Sequence, residues 1–340
     1  MRALITGGAG FIGSNLAHRL IGDGHQVVVY DNLSRLGTDK NVEWLREVHQ
    51  DRWALVQADV RDYATLREAA AGADVIYHLA SQVAVTTSVQ DPRHDFEVNA
   101  LGTFNVLEAA RLASKRPIVL YASTNKVYGG MEDAAVIETG SGYAYRDYPR
   151  GISETFPLDF HSPYGCSKGA GDQYTRDYAR IYDVPTVVFR QSCIYGPRQF
   201  GVEDQGWVAW FLIAAVTGRD ITIYGDGKQV RDVLWVDDLL DLYQLAVDRI
   251  DVAAGQVYNV GGGPDNTLAV WSELGPMLGE LLGRPMEVAH EDWRPGDQRI
   301  FVADIRKAWL ELGWRPKVGR EEGVRRLYEW VVDHQALFGA

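Results

Sequence analysis

The chain has 340 residues, 46% hydrophobic and 24% charged, enough to bury one large core or two modest ones. Its 46 acidic against 34 basic residues leave a net charge of −12, which disfavours a nucleic-acid partner and requires any anionic ligand to be held by local cations or helix N-termini. The two cysteines, Cys166 and Cys193, supply neither a disulfide framework nor metal-ligand spacing, and Arg2–Thr6 reads directly as a strand with no leader or long apolar run, so a cytoplasmic protein with no membrane span is expected.

Up to residue 121 short apolar runs alternate with amphipathic stretches. Ala3–Ile5, Val27–Tyr30, Trp53–Val56, Val75–Leu79 and Ile118–Tyr121 read as buried parallel strands. Helical patterns lie near 12–22, 41–49, 62–71 and 94–114. This alternation predicts an α/β fold, a doubly wound Rossmann parallel sheet with right-handed crossovers. Residues 129–163 are rich in Gly, Pro and Tyr and read as loop. A helix over about 163–182 and a strand at Thr186–Phe189 follow. Loop, helix and short strands mix over 191–235. Val257–Val260 reads as a strand, and helices are expected near 268–282 and 321–334. With no Gly/Ser linker, the second unit is expected to be woven from 191–229 and 261–340. The first takes 1–190 and about 230–260.

Gly7-Gly8-Ala9-Gly10-Phe11-Ile12-Gly13 lies between the first strand and the first helix. It fits the dinucleotide pattern through Gly8, Gly10 and Gly13, and a variant spacing through Gly7, Gly10 and Gly13. Either way, a tight turn and a bare backbone let a pyrophosphate sit on a helix N-terminus. Asp31 ends the second strand, where a carboxylate accepts from adenosine ribose hydroxyls and repels a 2′-phosphate. NAD is therefore preferred to NADP, although Arg35 nearby points the other way. Asp59-Val60, after the third strand, is placed to meet the adenine. Leu79-Ala80, after the fourth, is placed to line the cofactor.

Tyr164-Gly165-Cys166-Ser167-Lys168 sets Tyr and Lys four apart, on one helix face. A free phenol, with a pKa near ~10, is a poor base at neutral pH. A cation about 4 Å away is worth roughly 4 kcal/mol at an effective dielectric near ~20, or about three pKa units. Lys168 and a positive nicotinamide together bring Tyr164 into working range. By itself such a pair is ordinary surface decoration; it gains meaning behind a dinucleotide half-domain. Ser123-Thr124 closes the fifth strand at the carboxyl edge, where a hydroxyl can share a substrate proton with Tyr164.

Together, Gly7 to Gly13, Asp31, Thr124, Tyr164 and Lys168 resemble the extended short-chain dehydrogenase/reductases that modify nucleotide sugars. The resemblance spans nearly the whole chain. It continues in Tyr195-Gly196-Pro197-Arg198, Gly225-Asp226-Gly227 with Arg231-Asp232, and Arg294-Pro295-Gly296-Asp297. It implies a catalytic triad of Thr124, Tyr164 and Lys168. For the cofactor it adds Phe11, Ile12, Asn32, Ser34, Gln82 and Asn99. A narrower likeness, to the CDP-tyvelose (CDP-paratose) 2-epimerases, lies in Ser123–Gly129, Asp159–Lys168 and Asp204-Gln205-Gly206-Trp207. It implies inversion at C2 of a nucleotide-linked hexose, with tightly held NAD recycled each turnover. It also implies carbohydrate metabolism of the lipopolysaccharide O-antigen kind.

In the sugar 4,6-dehydratases of this superfamily Asp-Glu stands where this chain has Asn125-Lys126, which cannot repeat that acid-base pairing. The resemblance makes Ser123, Asn125, Lys126, Gln199 and Gln205 substrate contacts. His161 either touches the sugar or orients the turn before the helix. Tyr224 is placed to stack on the base. Arg231 and Arg294 are the cations for the nucleotide diphosphate, since a guanidinium grips phosphate oxygens in pairs. Many relatives carry Asn where Cys193 stands. Relatives pair through two long helices, here about 94–114 and 163–182, so a homodimer or homotetramer is expected. A CDP-sugar is the favoured partner. The alternatives are a 2-epimerase of a GDP- or UDP-hexose, a UDP-glucose 4-epimerase-like enzyme, and a non-catalytic NAD-sensing or RNA-binding regulator.

Overall fold

The computed structural model describes residues 1–293 and 297–339; Arg294, assigned above to the diphosphate, lies outside the described residues. The chain begins with β1 (Arg2–Thr6), α1 (Phe11–Gly22), β2 (Gln26–Asp31), α2 (Thr38–His49), β3 (Trp53–Gln57), α3 (Tyr63–Ala70) and β4 (Val75–His78). There follow α4 (Val85–Gln90), α5 (Pro92–Phe96), α6 (Gly102–Leu112), β5 (Ile118–Thr124), β6 (Val136–Glu138), β7 (Tyr143–Tyr145), α7 (Ser162–Tyr182), β8 (Thr186–Gln191) and β9 (Cys193–Tyr195). The remainder is α8 (Trp207–Thr217), β10 (Thr222–Tyr224), β11 (Val230–Trp235), α9 (Val236–Asp248), α10 (Ile250–Ala253), β12 (Val257–Val260), β13 (Thr267–Ala269), α11 (Leu274–Leu282), β14 (Ala289–Glu291), β15 (Ile300–Phe301), α12 (Arg306–Leu312) and α13 (Arg320–Asp333).

Seven parallel strands form the main sheet in the order β12-β8-β5-β4-β1-β2-β3. The order reverses between β1 and β4, which opens a crevice at their carboxyl ends. Helices cover both faces, so Ile5, Val29, Tyr77, Leu120 and Val187 are fully shielded, as their uninterrupted apolar runs require. α9 packs on this sheet through Leu239, Leu240 and Tyr243.

Four segments depart from the sequence reading. The helix expected at 94–114 is two helices, α5 and α6, joined by a wide π turn at Glu97–Leu101. Pro92 starts α5, capped by the Asp91 carboxylate, which accepts from His94 N at 3.0 Å. The stretch read as loop contains a hairpin, with Val136 opposite Tyr145. The helix expected from 268 starts at Leu274, because Thr267–Ala269 pairs antiparallel with β11. β11 belongs to the smaller sheet, flanked by β9, β13 and β15, so residues 230–235 are not part of the main sheet. The return to the first unit begins at α9. A second core, with Phe211, Leu212, Ile223, Trp235 and Leu327, lies under this smaller sheet.

α7 carries Gly165, Gly169 and Gly171, poor residues for a helix interior. Contact explains two of them. A Cβ on Gly169 would stand 2.5 Å from the Phe160 ring, and one on Gly171 2.4 Å from the Tyr121 hydroxyl. The bare Gly171 lets α7 lie directly against β5, which brings Tyr164 and Lys168 to the sheet edge, and the bare Gly169 makes room for the Phe160 ring.

Candidate active site

A cleft of about 550 Å³ runs along the carboxyl edges of β1, β2, β4 and β5. Its floor is backbone. Gly7 takes φ +70°, and a Cβ there would meet Ala80 N at 2.7 Å. A Cβ on Gly13 would stand 2.2 Å from Gly7 O, and one on Gly10 3.2 Å from the same oxygen. No side chain caps the N-terminus of α1 at Gly10, so its first amides face the cleft uncovered. Asp31 accepts from Ala9 N at 3.0 Å and Leu33 N at 2.8 Å, while burial pushes its pKa up. The bare turn, the open amides and the carboxylate fit the pyrophosphate and ribose of a dinucleotide.

Phe11, Ile12, Asn32, Ser34, Arg35, Asp59, Val60, Leu79, Ala80 and Gln82 also line the cleft. Asn32 donates to Asp59 at 2.9 Å. Arg61, at 2.8 Å, holds the Asp59 carboxyl well below the usual range. Arg35 reaches across the cleft mouth and donates to Gln205 Oε1. Gln199 lines the cleft on the same side. Gln199 and Gln205 thus line the same cleft as Arg35, Ser123, Tyr164 and Lys168.

Tyr164, Lys168 and Asp172 follow one face of α7 at four-residue spacing, and all are buried. Burial raises the Tyr164 phenol to about 12; a hydrogen bond with Thr124 and the Arg35 charge pull it down. Burial lowers Lys168 to about 7, with the Asp95 and Asp172 charges opposing. Its Nζ donates to Ala122 O at 2.6 Å and stands 4.4 Å from the centre of the Tyr121 ring. Ser123 Oγ donates to Asp172 at 2.8 Å, and Asp172 is clamped by Arg190 at 2.9 Å. The Ser123 hydroxyl thus faces the core, leaving Thr124 as the hydroxyl toward Tyr164. Thr124 Oγ1 accepts from Lys126 N at 3.2 Å and donates to Asn125 Oδ1 at 3.3 Å.

Beyond Thr124 a second polar group gathers. Lys126 Nζ donates to Gln298 Oε1 at 3.2 Å; burial and the nearby Arg231 lower it to about 8. Arg231, buried, pairs with Asp297 at 2.9 Å. Cys193 accepts from Trp207 Nε1 at 3.4 Å, and burial raises its thiol. His161 pairs with Asp159 at 2.9 Å on the half-exposed turn before α7, and it does not line the cleft. Tyr224 lies on β10, opposite Glu291 of β14, also away from the cleft lining. Asn99 is fully buried behind the cleft, bound to Ser81 and Gln82.

The sequence reading does not reach Asp95, Asp172, Arg190 or Gln298. For Asp172 a signal existed, since it continues the Tyr164–Lys168 spacing by one more turn. Asp95 is hidden because the stretch reads as one regular helix.

The profile of the family described as GDP-mannose 4,6 dehydratase matches residues 4–327. A CDP-paratose 2-epimerase from Salmonella typhi is 44% identical over 338 residues, covering 97% of this chain and 99% of that one. A UDP-glucose 4-epimerase from Mycolicibacterium smegmatis is 37% identical over 331 residues, covering 97% and 98%. Among solved structures, a dTDP-glucose 4,6-dehydratase from Streptomyces venezuelae with NAD bound superposes with a TM-score of 0.85 at 29% identity, covering 100% of this chain and 99% of that one.

Proposed function

The chain belongs to the NAD-dependent nucleotide-sugar epimerases and dehydratases of the extended short-chain dehydrogenase/reductases, and from that premise we propose that it inverts C2 of a CDP-linked hexose of the paratose/tyvelose kind. It is an isomerase, and NAD is its cofactor. The observation that carries the finer reading is the 44% identity to a CDP-paratose 2-epimerase along 97% of the chain. Asn125 and Lys126 support it. They put no carboxylate pair beside Tyr164, so elimination of water would lack its acid and base.

When bound, NAD supplies both the hydride acceptor and the hydride donor of one turnover. Gly7, Gly10, Phe11 and Ile12 would hold its pyrophosphate, and Asp31 its adenosine ribose. Asp59 and Val60 would face the adenine, and Lys168 the nicotinamide ribose. Thr124 hydrogen-bonds the reacting oxygen and Tyr164 takes the C2 hydroxyl proton; with the C2 hydride accepted by NAD, a 2-keto sugar would result. The ketone turns its other face and Tyr164 returns the proton. Raised to about 12, the Tyr164 phenol stays protonated at neutral pH and so cannot act as a base, so ligand charge must complete the activation that Thr124 and Arg35 begin. Arg231 and Lys126 would hold the diphosphate end.

We also propose pairing of two copies through α5–α6 and α7. Phe96, Leu112, Tyr174 and Ile181 leave an apolar stripe exposed there, between 50% and 63% open. A monomer by light scattering refutes that pairing.

The reaction is tested with purified protein and a panel of CDP-, GDP-, UDP- and dTDP-hexoses, with products read by NMR and carried-over NAD read after denaturation. C2 inversion of the CDP-sugar is expected. In heavy water the product C2 should carry no solvent deuterium. Substantial label there, or inversion at C4 only, overturns the reading.

A further inference from the structure

One buried carboxylate beside the site has no part in the reaction just described. Asp95, on α5, is fully buried. Its Oδ1 accepts from Asn99 Nδ2 at 3.0 Å and Gln82 Nε2 at 3.1 Å, and its Oδ2 accepts from Ser167 Oγ. The three donors belong to three separate parts of the site. Gln82 lines the cleft after β4, Asn99 sits in the π turn, and Ser167 precedes Lys168 on α7.

These donors are neutral. They satisfy the carboxylate's lone pairs but leave its charge standing, and a buried charge needs a counter-charge. Lys168 is the cation that most stabilises ionised Asp95, ahead of His94. The groups facing Lys168 are few. From its own helix come Tyr164 and Asp172, from β4 His78, from β5 Tyr121, and from α5 Asp95. Burial holds His78 neutral, at about 3. Arg190 grips Asp172 at two points, 2.9 and 3.0 Å. Asp95 is therefore the facing carboxylate whose charge no arginine among the described residues takes up.

We propose that Asp95 is a positioning residue that keeps Lys168 charged and ties α7 to the cofactor loop. The ammonium this preserves is the one read above as holding the nicotinamide ribose, so the inference rests on that assignment. The π turn has a reason on this account. It brings Asn99 onto Asp95 and, at 3.2 Å, onto Ser167 at once.

Asp95→Asn isolates the charge. The amide oxygen can still accept from Gln82 and Asn99, while its NH2 donates to Ser167 Oγ. The ε-carbon resonance of Lys168, assigned by its loss in Lys168→Met, is followed by NMR against pH in the cofactor-loaded protein. Removing an opposite charge at close range lowers a lysine by about one unit or more. The resonance is thus expected to titrate about one pH unit lower in Asp95→Asn, and the alkaline limb of kcat to move down with it. Asp95→Glu keeps the charge and should leave both where the wild-type chain has them. If the Asn chain does not accumulate, an acidward shift in the Glu chain overturns the proposal. An unmoved Lys168 titration in Asp95→Asn overturns it too, even if kcat falls. Failure of the epimerase reading shows differently, as a wild-type chain inactive on every sugar while the NMR shift stands.

Discussion

The dinucleotide edge of the cleft and the sugar end beside it are built by different means. The first is mostly backbone. Gly7, Gly10 and Gly13 come from one turn, and Asp31 binds back to Ala9 of that turn. The second is made of side chains brought from far apart. Lys126 meets Gln298 across 172 residues, and Arg231 meets Asp297 across 66. A backbone site tolerates little change in shape, whereas a side-chain site can be retuned one residue at a time. That difference agrees with a family whose members share the cofactor and differ in the sugar.

Tyr164→Phe is the hardest blow to the common centre. It keeps the ring and removes the proton carrier, so kcat should fall by about 10³-fold or more with NAD content and melting temperature unchanged. Retained turnover would remove the reading at its root. Arg231→Met tests whether the two regions are separable. If Arg231 holds the diphosphate as proposed, its loss should raise KM by roughly 10- to 100-fold with little change in kcat or in carried NAD. Loss of NAD in this variant would show that the sugar end also shapes the dinucleotide edge.

The smallest effect concerns stability. Burial lowers Lys168 from 10.5 to about 7, so the folded chain carries the cost of a buried ammonium that the unfolded chain does not. The cost is present in full below pH 7 and fades as the pH rises toward 10.5, because only the unfolded state then holds the proton. Measured against Lys168→Met, whose turnover is lost, the wild-type chain should therefore gain about 2 °C or more in melting temperature as the pH rises from about 7 to about 10. A wild-type chain that loses ground to that variant over the same range would contradict this account.

Local signals carried much of this molecule. Uninterrupted apolar runs mark β1, β2, β4 and β5 because a parallel sheet is buried on both faces, whereas β3 carries the same pattern at the sheet edge, with no fully buried residue and Ala54 exposed. The glycine turn and the Tyr164–Lys168 spacing are legible because each is complete within a few residues. Charge state was not legible at the same level. The Tyr-Lys spacing suggests a lysine that acidifies the phenol, yet burial raises Tyr164 and lowers Lys168. Desolvation depends on what packs around a group, which no short window of sequence contains.

What the sequence determined by itself was the doubly wound sheet, the glycine turn and the placing of Tyr164 and Lys168 on one helix face, because hydrophobic period and short-range spacing specify them. Tertiary structure alone decided that Ser123 turns to Asp172, that Gln205 meets Arg35 at the cofactor mouth, and that Asp95 faces Lys168. The first and the last depend on elements distant in the chain meeting in a dry interior, where an unpaired polar group is too costly to leave, while Gln205 and Arg35 meet at the exposed rim.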